Sequence, residues 1–256
     1  MLDRILSDAR VRSEAAADRS AAFIEAAQRS RPARGFAAAL TRPGLSVIAE
    51  VKRRSPSRGV LAAGLDAVAQ GEIYADAGAA AVSVLTEPLH FDGSLDDLIS
   101  VKGAITIPVL RKDFMLEPAQ MFEARAAGAD AVLLIVAALG ADRLGRLLGA
   151  AAEAGVDALV EVHDIDEAVV ARGAGATLIG VNNRNLTTFS TDLGVAEAIA
   201  TTVQGDGIIT VAESGIHTPD DARRMEDAGY DAILVGEALV VADDPAALLS
   251  RLVGRP

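Results

Sequence analysis

The sequence predicts an α/β fold, a (β/α)8 TIM barrel with an N-terminal helical extension, and three observations predict it. A short phrase recurs in which a helix tail ends in Ala-Gly or Gly-Ala-Gly, followed by a few small residues and then an apolar run. The apolar runs are nearly continuous rather than alternating, as in parallel strands covered on both faces. Eight such units fit into about 190 residues at even spacing, which suits a closed barrel better than an open doubly wound sheet.

The first run is SVIAEVKR (Ser46–Arg53), and DAGAAAVSVLT (Asp76–Thr86) is the first copy of the whole phrase. It returns as AAGADAVLLIV (Ala126–Val136), EAGVDALVEV (Glu153–Val162), GAGATLIGVN (Gly173–Asn182) and DAGYDAILVG (Asp227–Gly236). Its glycines stand at 78, 128, 155, 175 and 229, so two gaps are about twice as long as the others. Each long gap holds one further run, ITIPVLRKDF (Ile105–Phe114) and GIITVAES (Gly207–Ser214), which completes eight. A glycine at that place reads as a left-handed helix terminus that turns the chain back into a strand. The intervening segments, Pro118–Ala127 and Ala141–Ala154 among them, are Ala-rich and amphipathic, as helices packed on one face should be.

Residues 1–45 lie outside the repeat and form the extension; residues 46–256 form the barrel, with one domain expected overall. Leu2, Ile5, Leu6 and Ala9 follow helical spacing, as do Phe23, Ile24 and Ala27, while Arg31-Pro32 and Arg42-Pro43 act as breaks before the first run. Two helices are expected there, capping the bottom of the barrel or roofing its active face.

Composition narrows the chemistry. There is no Cys, which excludes disulfides, thiolate metal sites and thiol nucleophiles. A net charge of −12 argues against a nucleic-acid partner. The longest apolar run, Ala131–Ala141, is far shorter than the roughly 20 residues of a membrane span. No signal-peptide pattern opens the chain, so a cytoplasmic protein is expected. His90, His163 and His217 show no metal-binding spacing and read as surface or hydrogen-bonding residues; neither metal nor cofactor is expected. Arg53, Arg54 and Arg58 read as a solvated basic loop, or one that also assists anion capture.

In a barrel, chemistry sits at the C-terminal strand ends, and alternate residues point inward. Five runs end in polar residues: Glu50-Val51-Lys52, Arg111-Lys112-Asp113, Glu161-Val162-His163, Asn182-Asn183-Arg184 and Glu213-Ser214. By parity, Glu50 and Lys52 share a face with Ile48, Lys112 with Leu110, Glu161 with Leu159, Asn182 with Gly180 and Glu213 with Val211. Any one of these could be a solvated strand-end charge, but five together suggest acid–base groups converging on one mouth. A phosphate site is suggested after the seventh and eighth runs. There Gly215 precedes a Thr218-Pro219 helix start, and Gly236 precedes Glu237-Ala238-Leu239.

The runs IAEVKRRSPSRG (Ile48–Gly59), VLTEPLHFDGS (Val84–Ser94), PVLRKDF (Pro108–Phe114), LLIVAAL (Leu133–Leu139), LVEVHD (Leu159–Asp164), IGVNNRNLTTF (Ile179–Phe189), AESGI (Ala212–Ile216) and LVGEALV (Leu234–Val240) resemble the indole-3-glycerol phosphate synthase family. The resemblance covers nearly the whole chain. Ala119 departs from the aromatic residue the family often has before Gln120, and the extension matches only loosely. It implies a carboxy-lyase of tryptophan biosynthesis acting on a small phosphosugar, 1-(2-carboxyphenylamino)-1-deoxyribulose 5-phosphate, with a monomer expected.

Lys112 is then the general acid. Lys52 is the partner of the substrate carboxylate or a second acid. Glu161 stabilises the cation or takes a proton, and Glu50 is a second base candidate. Asn182 and Glu213 position the substrate, and Ser55 and Ser214 donate hydrogen bonds to it. Gly215, Gly236, the Glu237 backbone and Arg184 meet the phosphate. Phe91, Phe114, Leu133 and Leu186 wall the anthranilate ring. A phosphoribosylanthranilate isomerase would use a Cys base, absent here. A non-catalytic phosphate-binding barrel would not need Lys52, Lys112 and Glu161 together.

Overall fold

The computed structural model describes residues 2–185 and 188–254. Eight parallel strands close into a barrel: β1 (Ser46–Val51), β2 (Ala81–Leu85), β3 (Val109–Lys112), β4 (Ala131–Ile135), β5 (Asp157–Val162), β6 (Leu178–Asn182), β7 (Ile209–Glu213) and β8 (Ala232–Val235). Each pairs with its sequence neighbour, and β1 closes the ring by pairing with both β2 and β8 (Ile48 opposite Ala81, Ser46 opposite Ala232). The five glycines of the repeat all have positive φ, between 72° and 100°, as a helix-to-strand reversal without a Cβ requires.

The strand runs are continuous in sequence because both faces are covered. Ile48, Leu110, Leu133, Leu159, Val211 and Leu234 fill the lumen. Val47, Ala49, Val82, Val84, Val132, Val160 and Ile233 face outward into the layer shared with the helices. Side-chain polarity caps those helices. Asp66, Ser94, Asp164, Thr218 and Asp244 each accept a backbone N–H of the first turn, and Thr218 does so in a capping box with Asp221 ahead of Pro219. The long segment Val136–Ala154 breaks at Gly140, so its regular part coincides with the helix expected from Ala141 to Ala154.

The extension does two jobs. Helix α1 (Leu2–Ala17) lies at the C-terminal end of the barrel, where Leu6 and Ala9 pack on Leu116 and Phe114. Helix α2 (Ser20–Gln28) belongs to the outer layer, with Phe23 and Ala27 buried there. The short helix α3 (Phe36–Ala39), not anticipated from the sequence, plugs the opposite end. Phe36 and Leu40 are fully buried against the lumen residues, and Ala37 N–H donates to Asp157 at the start of β5. Also unanticipated is a small antiparallel hairpin, Arg54–Ser55 with Gly59–Val60, after β1. Among the described residues, no helix is long and apolar enough to cross a membrane.

Candidate active site

Parity along the strands delivers the polar set. Glu50, Lys52, Lys112, Glu161, Asn182 and Glu213 line one cavity at the C-terminal mouth, about 950 Å³ including its open part, in the size range of small-molecule sites. Two ion-paired groups lie within it. Lys52 Nζ is 2.9 Å from Glu50 Oε1, and Ser83 Oγ donates to Glu50 Oε2. Lys112 Nζ donates to Glu213 Oε2 at 2.7 Å and to Glu161 Oε2 at 3.3 Å. Two glycines make room for these carboxylates. A Cβ on Gly180 would lie 2.2 Å from Glu213 Oε1, and one on Gly236 would lie 2.6 Å from Glu50 Oε1.

All three carboxylates are buried, but their surroundings separate them. Burial opposes ionisation of Glu161; Lys112 and His163 overcome it and hold this carboxyl well below the usual range. Burial likewise opposes ionisation of Glu50, and Lys52 with Lys112 outweighs it, so its pKa is lowered. Glu213 has only Lys112 to offset burial, while Glu161 and Glu50 repel it, and its pKa is pushed up to about 7. Its Oε1 has no hydrogen-bond partner among the described residues. Burial works against the Lys112 ammonium, but Glu213, Glu161 and Glu50 more than compensate and raise its pKa. The free site therefore holds a secure ammonium and one carboxyl poised near neutrality.

His163, read from the sequence as a surface or hydrogen-bonding residue, does hydrogen-bond, through Nδ1 to Glu167, and it also belongs to this cluster. Its side chain is 13% exposed, and Nε2 lies 3.3 Å from Glu161 Oε1, close enough for charge attraction though misaligned for a hydrogen bond. Its position directly after the β5 terminal pair was the available signal. Arg53 corrects one reading, since it leaves the solvent to pair with Asp97 through both guanidinium NH2 groups at 2.7 and 2.8 Å.

One side of the cavity is apolar. Phe91 and Phe114 face each other with ring centroids 6.3 Å apart, and Leu133 joins them; Leu186 lies outside the described residues. Ile5 of α1, noted in the sequence only for its helical spacing, and Phe189, not read as a site residue, join this lining. The two rings are held by carboxylates tied to the extension. Glu87 accepts the Phe91 N–H and Asp113 the Phe114 N–H, and Arg12 of α1 donates to both carboxylates at 3.0 and 2.9 Å.

The other side is polar. Lys52, Arg184, Ser214, Gly215, Gly236 and Glu237 line an adjoining hollow. Ser214 and Gly215 are consecutive left-handed residues (φ 65° and 80°), a conformation costly for serine and often found at functional sites. The Glu237 carboxylate sits 3.0 Å from Arg58 Nε and 3.5 Å from Arg184 Nη2, so the Arg58 side chain reaches the hollow's rim. Arg184 also donates to Ser57 Oγ, and Ser55 Oγ lies 3.3 Å from the same hydroxyl. Asn182 Oδ1 accepts the Arg184 N–H and so steadies that arginine's backbone.

Comparison with known proteins gives the family of the chain. The family model described as indole-3-glycerol phosphate synthase matches residues 2–252. The chain is 49% identical over 253 residues to the indole-3-glycerol phosphate synthase of Parafrankia sp. (strain EAN1pec), covering 99% of this chain and 93% of that protein. It is 47% identical over 260 residues to that of Koribacter versatilis (strain Ellin345), covering 99% and 98%. Among solved structures, 3-hexulose-6-phosphate synthase from Salmonella typhimurium superposes with a TM-score of 0.68 at 16% identity, covering 82% of this chain and 97% of that one, a likeness of fold alone. With its strand-end lysines and carboxylates in one mouth and a family match running from α1 to the last helix, the chain belongs to the indole-3-glycerol phosphate synthase family.

Proposed function

We propose that this mouth converts 1-(2-carboxyphenylamino)-1-deoxyribulose 5-phosphate into indole-3-glycerol phosphate, carbon dioxide and water, the carboxy-lyase step of tryptophan biosynthesis, acting in the cytoplasm on free substrate. The observation that carries this reading is the Lys112 ammonium in a cavity that has an aromatic wall and shares Lys52, Arg184 and Ser214 with the adjoining polar hollow. An aromatic wall suits the anthranilate ring, and an anion hollow of Arg184, Lys52 and the Gly215 and Gly236 backbone suits the phosphate. At that hollow the side chain of Glu237 engages arginines, so its backbone is the part offered to phosphate.

Placement sets the chemistry. The ring carbon bearing the carboxylate attacks the ketone carbon while Lys112 gives its proton to the ketone oxygen. The new carbon–carbon bond leaves a cation delocalised onto the aryl nitrogen, and ionised Glu161 stabilises it. The carboxylate then departs as carbon dioxide, its bonding electrons quenching the cation. Lys52, which lines the cavity beside Glu50 and can also meet that carboxylate beforehand, is placed to protonate the departing hydroxyl, which leaves as water. Loss of a proton from the adjoining sugar-derived carbon then completes the aromatic five-membered ring of the indole. The unpartnered Oε1 and raised pKa of Glu213 favour it as acceptor over Glu50, which Lys52 holds as a weaker base. Ser55, Ser214 and Asn182 orient the sugar.

The test is a continuous fluorescence assay for the indole product, readable against a protein with two Tyr and no Trp. Lys112→Ala is expected to lose at least about 100-fold in kcat while still binding substrate. Near-normal turnover would falsify the assignment.

A further inference from the structure

Proton transfer from Lys112 creates an electrostatic problem in this cavity. When Lys112 becomes neutral, three buried carboxylates lose the cation they share. Glu50 retains Lys52 at 2.9 Å. Glu213 has no second cation paired with it among the described residues, and its Oε1 has no hydrogen-bond partner there, which suits an acceptor. Glu161 must stay ionised, because the cation it stabilises forms in that same step. The only other cationic group against it among the described residues is His163, whose Nε2 faces the Glu161 oxygen turned away from Lys112.

We propose that His163, as an imidazolium, is a positioning residue that keeps Glu161 ionised and oriented through the step in which Lys112 becomes neutral. This role rests on those proposed for Lys112 and Glu161 in ring closure. The imidazole is built in on both sides. Nδ1 lies 3.0 Å from Glu167 Oε2, and the same oxygen accepts the His163 backbone N–H at 2.8 Å, which fixes the ring relative to the next helix. The charged groups facing it are Glu161 on its own strand and Glu167 on helix Ile165–Gly173; Lys112 and Asn182 lie beyond Glu161. An ionised Glu167 leaves Nδ1 only a donor role, and the Glu161 carboxylate 3.3 Å from Nε2 favours a second proton there by charge. Burial opposes this charge, but the paired carboxylates outweigh it and raise the pKa from an ordinary 6.5 to about 10.

With three histidines in the chain, the imidazole nitrogens can be resolved one by one by NMR in the intact, substrate-free protein. His163 is expected to remain doubly protonated at pH 7.5, where a free imidazole, with pKa about 6.5, is neutral. Glu167→Gln should lower its titration midpoint by about one unit or more. In the indole assay His163→Gln, similar in size but uncharged, should reduce kcat about tenfold or more with KM within about twofold, and move the acidic limb of kcat to higher pH. Glu167→Gln, farther from the cavity, should move that limb in the same direction and carries the kinetic test if the His163 variant does not fold. A neutral His163 at pH 7.5 overturns the proposal whatever the kinetics. So does a charged His163 whose folded Gln variant keeps the wild-type kcat and pH profile. Near-normal turnover of Lys112→Ala would instead sink the parent mechanism and leave the charge state of His163 standing.

Discussion

Gly180 offers the sharpest test of how this site is built. Its φ lies outside the left-handed region, so the backbone does not demand glycine; the space does. A Cβ there would meet Glu213 Oε1 at 2.2 Å, Glu213 Cδ at 3.2 Å and Leu159 Cδ1 at 3.2 Å. For Gly180→Ala the carboxylate must therefore retreat by about an ångström to reach ordinary contact. The retreat is possible because the clashing atom ends a flexible side chain, but it strains the 2.7 Å bond to Lys112. Overpacking of this kind costs about 1–3 kcal/mol, or roughly 3–10 °C in Tm for a chain of this size. An ångström's displacement beside a reacting centre costs about 100-fold in rate. Gly180→Ala is thus expected to remain folded and lose about 10- to 100-fold in kcat, a loss in activity out of proportion to the loss in stability. Thermal unfolding and the indole assay measure the two effects. A variant with kcat within twofold of wild type would refute the reasoning that Glu213 must sit where Gly180 allows it.

Two more variants probe the ends of the cavity. Gly215→Asp adds a charge like that of the phosphate and places a Cβ at φ 80°, 3.3 Å from Thr191; steady-state kinetics should show KM raised about tenfold or more, and an unchanged KM would place the phosphate elsewhere. Arg12→Ala removes the guanidinium that joins Glu87 and Asp113, both buried, and so loosens the backbone of Phe91 and Phe114. It should cost about 3 kcal/mol by denaturant unfolding and raise KM more than it lowers kcat, and an unaltered KM would detach α1 from substrate binding.

Much of this molecule is legible along the chain because its information is local and periodic. The Ala-Gly phrase encodes a helix end and a left-handed turn, and the continuous apolar runs encode strands buried on two faces. Parity puts Glu50, Lys112, Glu161, Asn182 and Glu213 on the lumen side, and the structure brings all five to one cavity. His163 reads along the chain only as a surface or hydrogen-bonding residue, because spacing tests for metal ligands reveal nothing about an imidazole seated between carboxylates. Arg12 carries no signal in the sequence because its partners stand 75 and 101 residues away. The extension reads as helical, but which end of the barrel it covers depends on long-range packing: α1 goes to the mouth and α3 to the bottom.

The sequence by itself determined the number of strands, their order and which residues point inward, since strand period and helix termini are set by neighbouring residues. Only the tertiary structure decided how the charges divide. Glu161, Glu50 and Glu213 are alike in composition and in burial. They differ because His163, just after β5, joins one, Lys52, just after β1, joins another, and the third, beside a glycine on β6, has Lys112 alone among the described residues. Two of these partners stand only two residues from their carboxylate, but the closed barrel is what turns them onto it and brings Lys112, 49 and 101 residues away, to Glu161 and Glu213.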